Sequence, residues 1–131
     1  MSSEPLALEQ LSERIKVAFN SADLALIAAL LAPDVRWGPP ETPGGVCRSR
    51  EEVIEWWSRA WQAGARARAT EVVPGRGALL VGLRVSGTRD AERTGGEAKR
   101  WQVLRLHAGQ IVDIRGFDDR HEAALQAGVA D

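Results

Sequence analysis

Arg100–Asp119 reads RWQVLRLHAGQIVDIRGFDD, and its alternation decides the fold. Two runs of strand-forming residues, RWQVLRLH and QIVDIRGFDD, meet at the tight turn AGQ, as in an antiparallel hairpin. Successive side chains on a strand point to opposite faces, so each run sorts by parity. Gln102, Leu104 and Leu106 oppose Trp101, Val103, Arg105 and His107. Val112, Ile114, Gly116 and Asp118 oppose Asp113, Arg115, Phe117 and Asp119. Upstream, GALLVGLRVSG is a strand with Leu79, Val81, Leu83 and Val85 on one face and Leu80, Gly82, Arg84 and Ser86 on the other. ARARATEVV is a further strand, and the polar TRDAERTGGE, Thr88 to Glu97, reads as a long hairpin loop.

The first half has the other period. Leu8, Leu11, Ile15, Ala18 and Phe19 follow the 3–4 spacing of an amphipathic helix, with Pro5 in its first turn. NSAD breaks that helix, and LALIAALLA, Leu24 to Ala32, predicts a second, mostly buried one ended by Pro33. DVRWGPP alternates around Val35 and Trp37 and predicts a short strand stopped by prolines; ETPGG is a loop. Ser49-Arg50-Glu51-Glu52 is a capping box that starts a third helix, and HEAALQAG can form a last short one. Helices first and strands second predict an α+β fold, with helices packed on one face of a curved antiparallel sheet.

At 131 residues the chain fits a single domain, 1–131, with its core over about 6–121. A net charge of −1 offers no basic field for nucleic acid or an anionic membrane. One cysteine, Cys47, excludes an internal disulfide and suits a reducing compartment. The N-terminus carries no basic-then-apolar pattern, and the longest apolar run is too short to span a bilayer, so a cytoplasmic protein is expected. No metal site is expected, because His107 and His121 fall on different elements with no ligand spacing. No dinucleotide or phosphate motif is present either, so no cofactor is expected: GRGALLVG is strand with turn glycines, and no helix follows it.

REEVIEWWSRAW, Arg50 to Trp61, holds three of the five tryptophans. On a helix Val53, Ile54, Trp56, Trp57, Ala60 and Trp61 fall within an arc of roughly 160° and face the protein. The indoles form either plain core or the wall of a pocket. On the sheet, Gln102 and Asp118 travel with the apolar face, where a polar group needs a partner. Asp118 is a helix N-cap, a partner for His121, or a site residue. The opposite face mixes Arg84, Arg105 and Arg115 with Trp101 and Phe117. That composition suits a protein–protein interface and predicts a homodimer packed sheet to sheet.

The order of LLAPDVRW, CRSREEVIEWW and RWQVLRLHAGQIVDIRGFDD resembles the nuclear transport factor 2-like superfamily, in particular its SnoaL-like and ketosteroid-isomerase-like branch. The resemblance covers nearly the whole chain, from about Leu6 to His121. It implies a cone, a curved sheet wrapped around helices with a pocket at its open end, and an outer face that commonly dimerises. It also implies that Trp37, Trp57, Trp61, Gln102 and Asp118, with Val81, Leu83, Leu104 and Ile114, line the cone. A small apolar ligand is then the expected partner.

The catalytic sets of the branch are incomplete here. Aligned on PDVRW, the isomerase base falls on Pro39, its tyrosine near Ile15 and its sheet acid on Gln102, and the chain has no tyrosine. This argues against isomerisation by that route. The Asp–Arg–Asp set of limonene-epoxide-hydrolase-like members meets Gly116 in place of an acid, and Arg84 has outward parity. SnoaL-like polyketide cyclases resemble a pocket with one acid near the end of the last strand, where Asp118 lies. Two functions are therefore expected. One is an acid–base isomerase or cyclase acting through Asp118 on a flat, carbonyl-bearing molecule. The other is a non-catalytic, dimeric module that binds a ligand or partner.

Overall fold

The structure is a computed structural model that describes residues 4–21, 23–39, 41 and 45–129. Three helices come first: α1 (Glu4–Ser21), α2 (Leu24–Leu30) and, after strand β1 (Leu31–Gly38), α3 (Arg50–Gln62). The rest is β2 (Arg66–Pro74), β3 (Ala78–Ser86), a short α4 (Arg89–Arg93), β4 (Ala98–His107), β5 (Gln110–Phe117) and α5 (Arg120–Ala127). The five strands form one curved, unclosed sheet in the order β1-β5-β4-β3-β2. Every neighbouring pair is antiparallel except β1 and β5, which run parallel.

The inner face of the sheet presents Leu79, Val81, Leu83, Leu104, Ile111 and Ile114 to the helices. Leu11, Ile15, Ala18 and Phe19 of α1, Ile27 of α2, and Val53 and Trp57 of α3 complete this core. Local chemistry sets the helix starts. The Asp23 side chain accepts from Ala25 and Leu26 N–H at the start of α2. Ser49 Oγ accepts from Glu52 N–H, and Glu52 reaches back to Arg48 N–H, as a capping box does. Asn20 Oδ1 accepts from Ala69 N–H at 2.9 Å, tying the end of α1 to β2.

Four details depart from the sequence reading. The second helix stops at Leu30, because the residue before Pro33 is held extended and β1 begins at Leu31. Pro33 is tolerated there because β1 is an edge strand. Val112 does not point inward. Leu106 pairs with Ile111 and Arg105 with Asp113, so Val112 is the extra residue of a bulge and Ile111 takes the core position. The Thr88–Glu97 segment holds α4, capped by Thr88 Oγ1, rather than an open loop. The predicted loop around Glu41–Gly45 falls mainly on residues 42–44, outside the described residues.

The fourth departure concerns the outer face, which is not free. Helix α5 lays Ala123, Ala124 and Ala127 on Ala78, Leu80, Val103 and Phe117, with Val73 and Trp101 at the margin. Phe117 is buried beneath its own chain. Arg105 donates to Gln126 O at the end of α5. Arg115 forms a two-pronged pair with Asp113, both bonds at 2.9 Å. Much of the aromatic and cationic surface that suggested a dimer thus has partners within the chain.

The Arg120 guanidinium fastens α5 to Glu71 of β2 at 2.7 Å. That pairing, with help from the Trp101 indole N–H and against burial, holds the Glu71 carboxyl below its ordinary value of 4.5. The contact therefore stabilises the fold above about pH 4.5 and is lost as pH falls through the folded value. Glu71→Gln should lower stability by up to about 1 kcal/mol at neutral pH. The difference from the parent should shrink as pH falls below about 4.5, and urea unfolding at neutral pH and across the acid range checks it.

Candidate functional site: a tryptophan-walled pocket at the mouth of the cone

A ladder of aromatic rings runs from the core to solvent. Phe19 meets Trp57 at a centroid distance of 5.7 Å, Trp57 meets Trp37 at 6.1 Å, and Trp37 meets Trp56 at 4.4 Å. The last two contacts are edge to face, the arrangement favoured by the ring quadrupoles. The interior end is full. Trp57 is buried, and the void between it, Phe19, Leu104, Ile111 and Ile114 amounts to about 10 Å³, barely room for one water.

The open end is different. A cavity of about 380 Å³ lies between Trp37, Pro39, Val46 and Trp56 on one side and Arg100, Trp101, Gln102 and Gly116 on the other. That size suits a small organic ligand. Gln102 and Gly116 are register partners across β4 and β5 and form its floor. A side chain at Gly116 would meet nothing within 4 Å, so the glycine keeps that space open. Gln102 Oε1 is buried there and has no hydrogen-bond partner among the described residues.

The near wall is built by close backbone approach. Trp37 pairs with Cys47 in both directions at 2.9 Å, and Val46 N–H also donates to Trp37 O. A Cβ at Gly38 would lie 2.9 Å from Val46 N, so only glycine lets this segment close over the end of β1. Arg115 Nη1 donates to Pro39 O at 3.0 Å and fixes the rim. The Cys47 thiol is buried beside this segment. Burial, with the nearby Glu52 charge, pushes its pKa up, which keeps it protonated and unreactive.

The sequence-derived residues divide. Trp37 and Gln102 line the cavity; Trp57, Leu104 and Ile114 border the small interior void, and Val81 and Leu83 are core. Trp61 packs half-buried against the core. Asp118 is elsewhere. Its side chain is 82% exposed and pairs with Arg100 in an adjoining hollow. The helix N-cap is Asp119, which accepts from His121 N–H at 3.0 Å. At the positions aligned with isomerase acids, Pro39 and Gln102 line the cavity and Ile15 lies in the core.

Trp56, Trp101, Arg100 and Val46 line the cavity without having been singled out for it. Two signals were present. Trp56 sits at the edge of the α3 apolar arc, where a side chain leaves the core. Arg100 shares the parity of Gln102 two residues on.

Residues 13–114 match the model of the SnoaL-like domain family. The chain belongs to that family. A SnoaL-like chain should share its cone with solved structures, and it does. A protein of unknown function from Burkholderia pseudomallei K96243, described as NTF2-like, is 26% identical over 97% of this chain and 98% of its own, with a TM-score of 0.64. A candidate polyketide cyclase from Sinorhizobium meliloti is 18% identical, covering 82% of this chain and 94% of its own, with a TM-score of 0.66. TerC, co-crystallised with polyporic acid, is 16% identical over 92% of this chain and 97% of its own, with a TM-score of 0.64. A search of curated proteins finds no match to this SnoaL-like chain.

The two neighbouring indoles should separate on mutation. Trp57→Ala should cost about 3–5 kcal/mol, as large-to-small core changes do. Trp56→Ala should cost under about 1 kcal/mol, as surface substitutions do. Urea unfolding of both variants checks this, and equal losses would contradict the separation of core from pocket.

Proposed function

We propose that this SnoaL-like protein binds a flat, largely apolar small molecule at the mouth of its cone. The molecule would lie against Trp37 and Trp56, with a polar edge turned toward Gln102. The observation that carries this reading is Gln102 Oε1, buried at the cavity floor with no partner among the described residues. Leaving such a group unpaired costs about 1–3 kcal/mol, and a ligand hydroxyl at that point would satisfy it. The TerC complex with polyporic acid shows a chain of similar fold crystallised with a small organic molecule, which supports the class of ligand.

The binding reading is preferred to an acid–base isomerase or cyclase acting through Asp118. A proton-transferring acid in these pockets gains from an apolar, desolvated setting. Asp118 is instead exposed beside a guanidinium, outside the indole walls. A homodimer through the outer face is likewise the less favoured arrangement, because α5 already covers Phe117.

Titrating intrinsic tryptophan fluorescence with steroids, polycyclic ketones and monoterpene epoxides should give saturable quenching by one class. Gln102→Leu should raise stability by about 1–3 kcal/mol, since it removes a buried unpaired amide at similar volume. The same variant should weaken a hydroxylated ligand relative to its hydrocarbon analogue. A destabilised variant that still discriminates the two ligands would remove Gln102 from the site.

A further inference from the structure

Arg100 is the one charged side chain lining the mouth cavity among the described residues, and it also borders a second hollow. On one side it meets the space held by Trp37, Trp56, Gln102 and Gly116. On the other it shares a hollow of about 510 Å³ with Arg93, Glu97, Lys99 and Asp118. The strand register explains this. Gln102 pairs with Gly116 and Trp101 with Phe117, so Arg100 follows Gln102 on its face of β4 while Asp118 lies just past the end of β5 beside it. Asp118 is a counter-ion of Arg100 and is itself largely exposed.

The two sides of Arg100 are not equivalent. Its pair with Asp118 is open to water, with side chains 40% and 82% exposed, and such pairs are weak and exchange readily. The cavity side is walled by indoles, where less water competes and a charge-assisted hydrogen bond is stronger. Among the described residues no carboxylate lines that cavity. The Gln102 amide lies beside Arg100 on the floor and adds a second polar contact. Arg93 and Lys99 add positive charge to the approach.

Building on the ligand-pocket reading, we propose that Arg100 selects flat aromatic ligands bearing an anionic oxygen, a carboxylate or an ionised enol. Asp118 is the counter-ion that such a ligand displaces. This makes Arg100 the specificity-determining residue of the site and Asp118 a positioning residue that acts through it.

Fluorescence titration with 1-naphthoate and its methyl ester tests this, because the two share a ring system and differ in charge. The wild-type protein should bind 1-naphthoate about tenfold or more tighter than the ester, as expected for one added charge-assisted hydrogen bond. Arg100→Gln should abolish the preference while leaving ester binding in place. Asp118→Asn should tighten 1-naphthoate severalfold and leave the ester unchanged. Both side chains are partly exposed, and circular dichroism verifies that each variant is folded. Equal affinities in the wild type, or a preference that survives Arg100→Gln, would overturn the Arg100 assignment and leave the pocket standing. Unchanged or weaker 1-naphthoate binding in Asp118→Asn would overturn the counter-ion role. Quenching by neither probe would overturn the pocket reading and this inference with it.

Discussion

Trp57 plugs the throat of the cone. Its indole spans from Phe19 in the core to Trp37 on β1, and it leaves almost no free volume beneath it. A cone of this kind could hold its ligand deep between helices and sheet. Here the helices and strands close around an indole instead, so the usable space moves outward to the rim. The edge-to-face contact of Trp37 with Trp56, the buried amide of Gln102 and the gap left by Gly116 all lie above that plug. The filled interior also fixes the scaffold. Sites built on packed strands and helices hold their groups more firmly than sites on loops.

The same economy appears on the outer face of the sheet. An antiparallel sheet whose second face carries Phe117, Leu80 and Val103 must cover them. The chain does so with an alanine-faced helix, small enough to lie flat. Arg105 at one end and the Glu71–Arg120 contact at the other hold α5 in place. The Trp101 indole, at the margin of the cluster under α5, also helps to hold the Glu71 carboxyl below its ordinary value.

Much of this was legible in the sequence. Parity placed Leu79, Val81, Leu104 and Ile114 on the core face and Gln102 with them, because alternation in a strand is strict while no bulge intervenes. It failed at Val112, because a one-residue bulge inverts the sides and leaves no compositional mark. The capping box at Ser49 was readable, since it depends on two side chains at fixed spacing. The site was legible only in part. Trp37 and Gln102 border the mouth cavity, whereas Trp57 packs in the core. An apolar arc does not say which of its indoles meets core and which meets the rim. Asp118 was drawn toward the pocket by parity, yet the strand had already run past the cavity at that point. That α5 covers part of the outer face was not readable, because alanines at 123, 124 and 127 carry little signal that they cover phenylalanine.

The central claim is that a ligand enters the mouth and not the interior. Two-dimensional NMR of the five indole N–H groups, recorded while a flat aromatic ketone is added, separates the two most directly. Assignment comes from single Trp→Phe variants. Trp37 and Trp56 should shift in a saturable manner while Trp57 stays in place. Movement of Trp57 with Trp56 unchanged would show that the cone opens from within, and would contradict that claim.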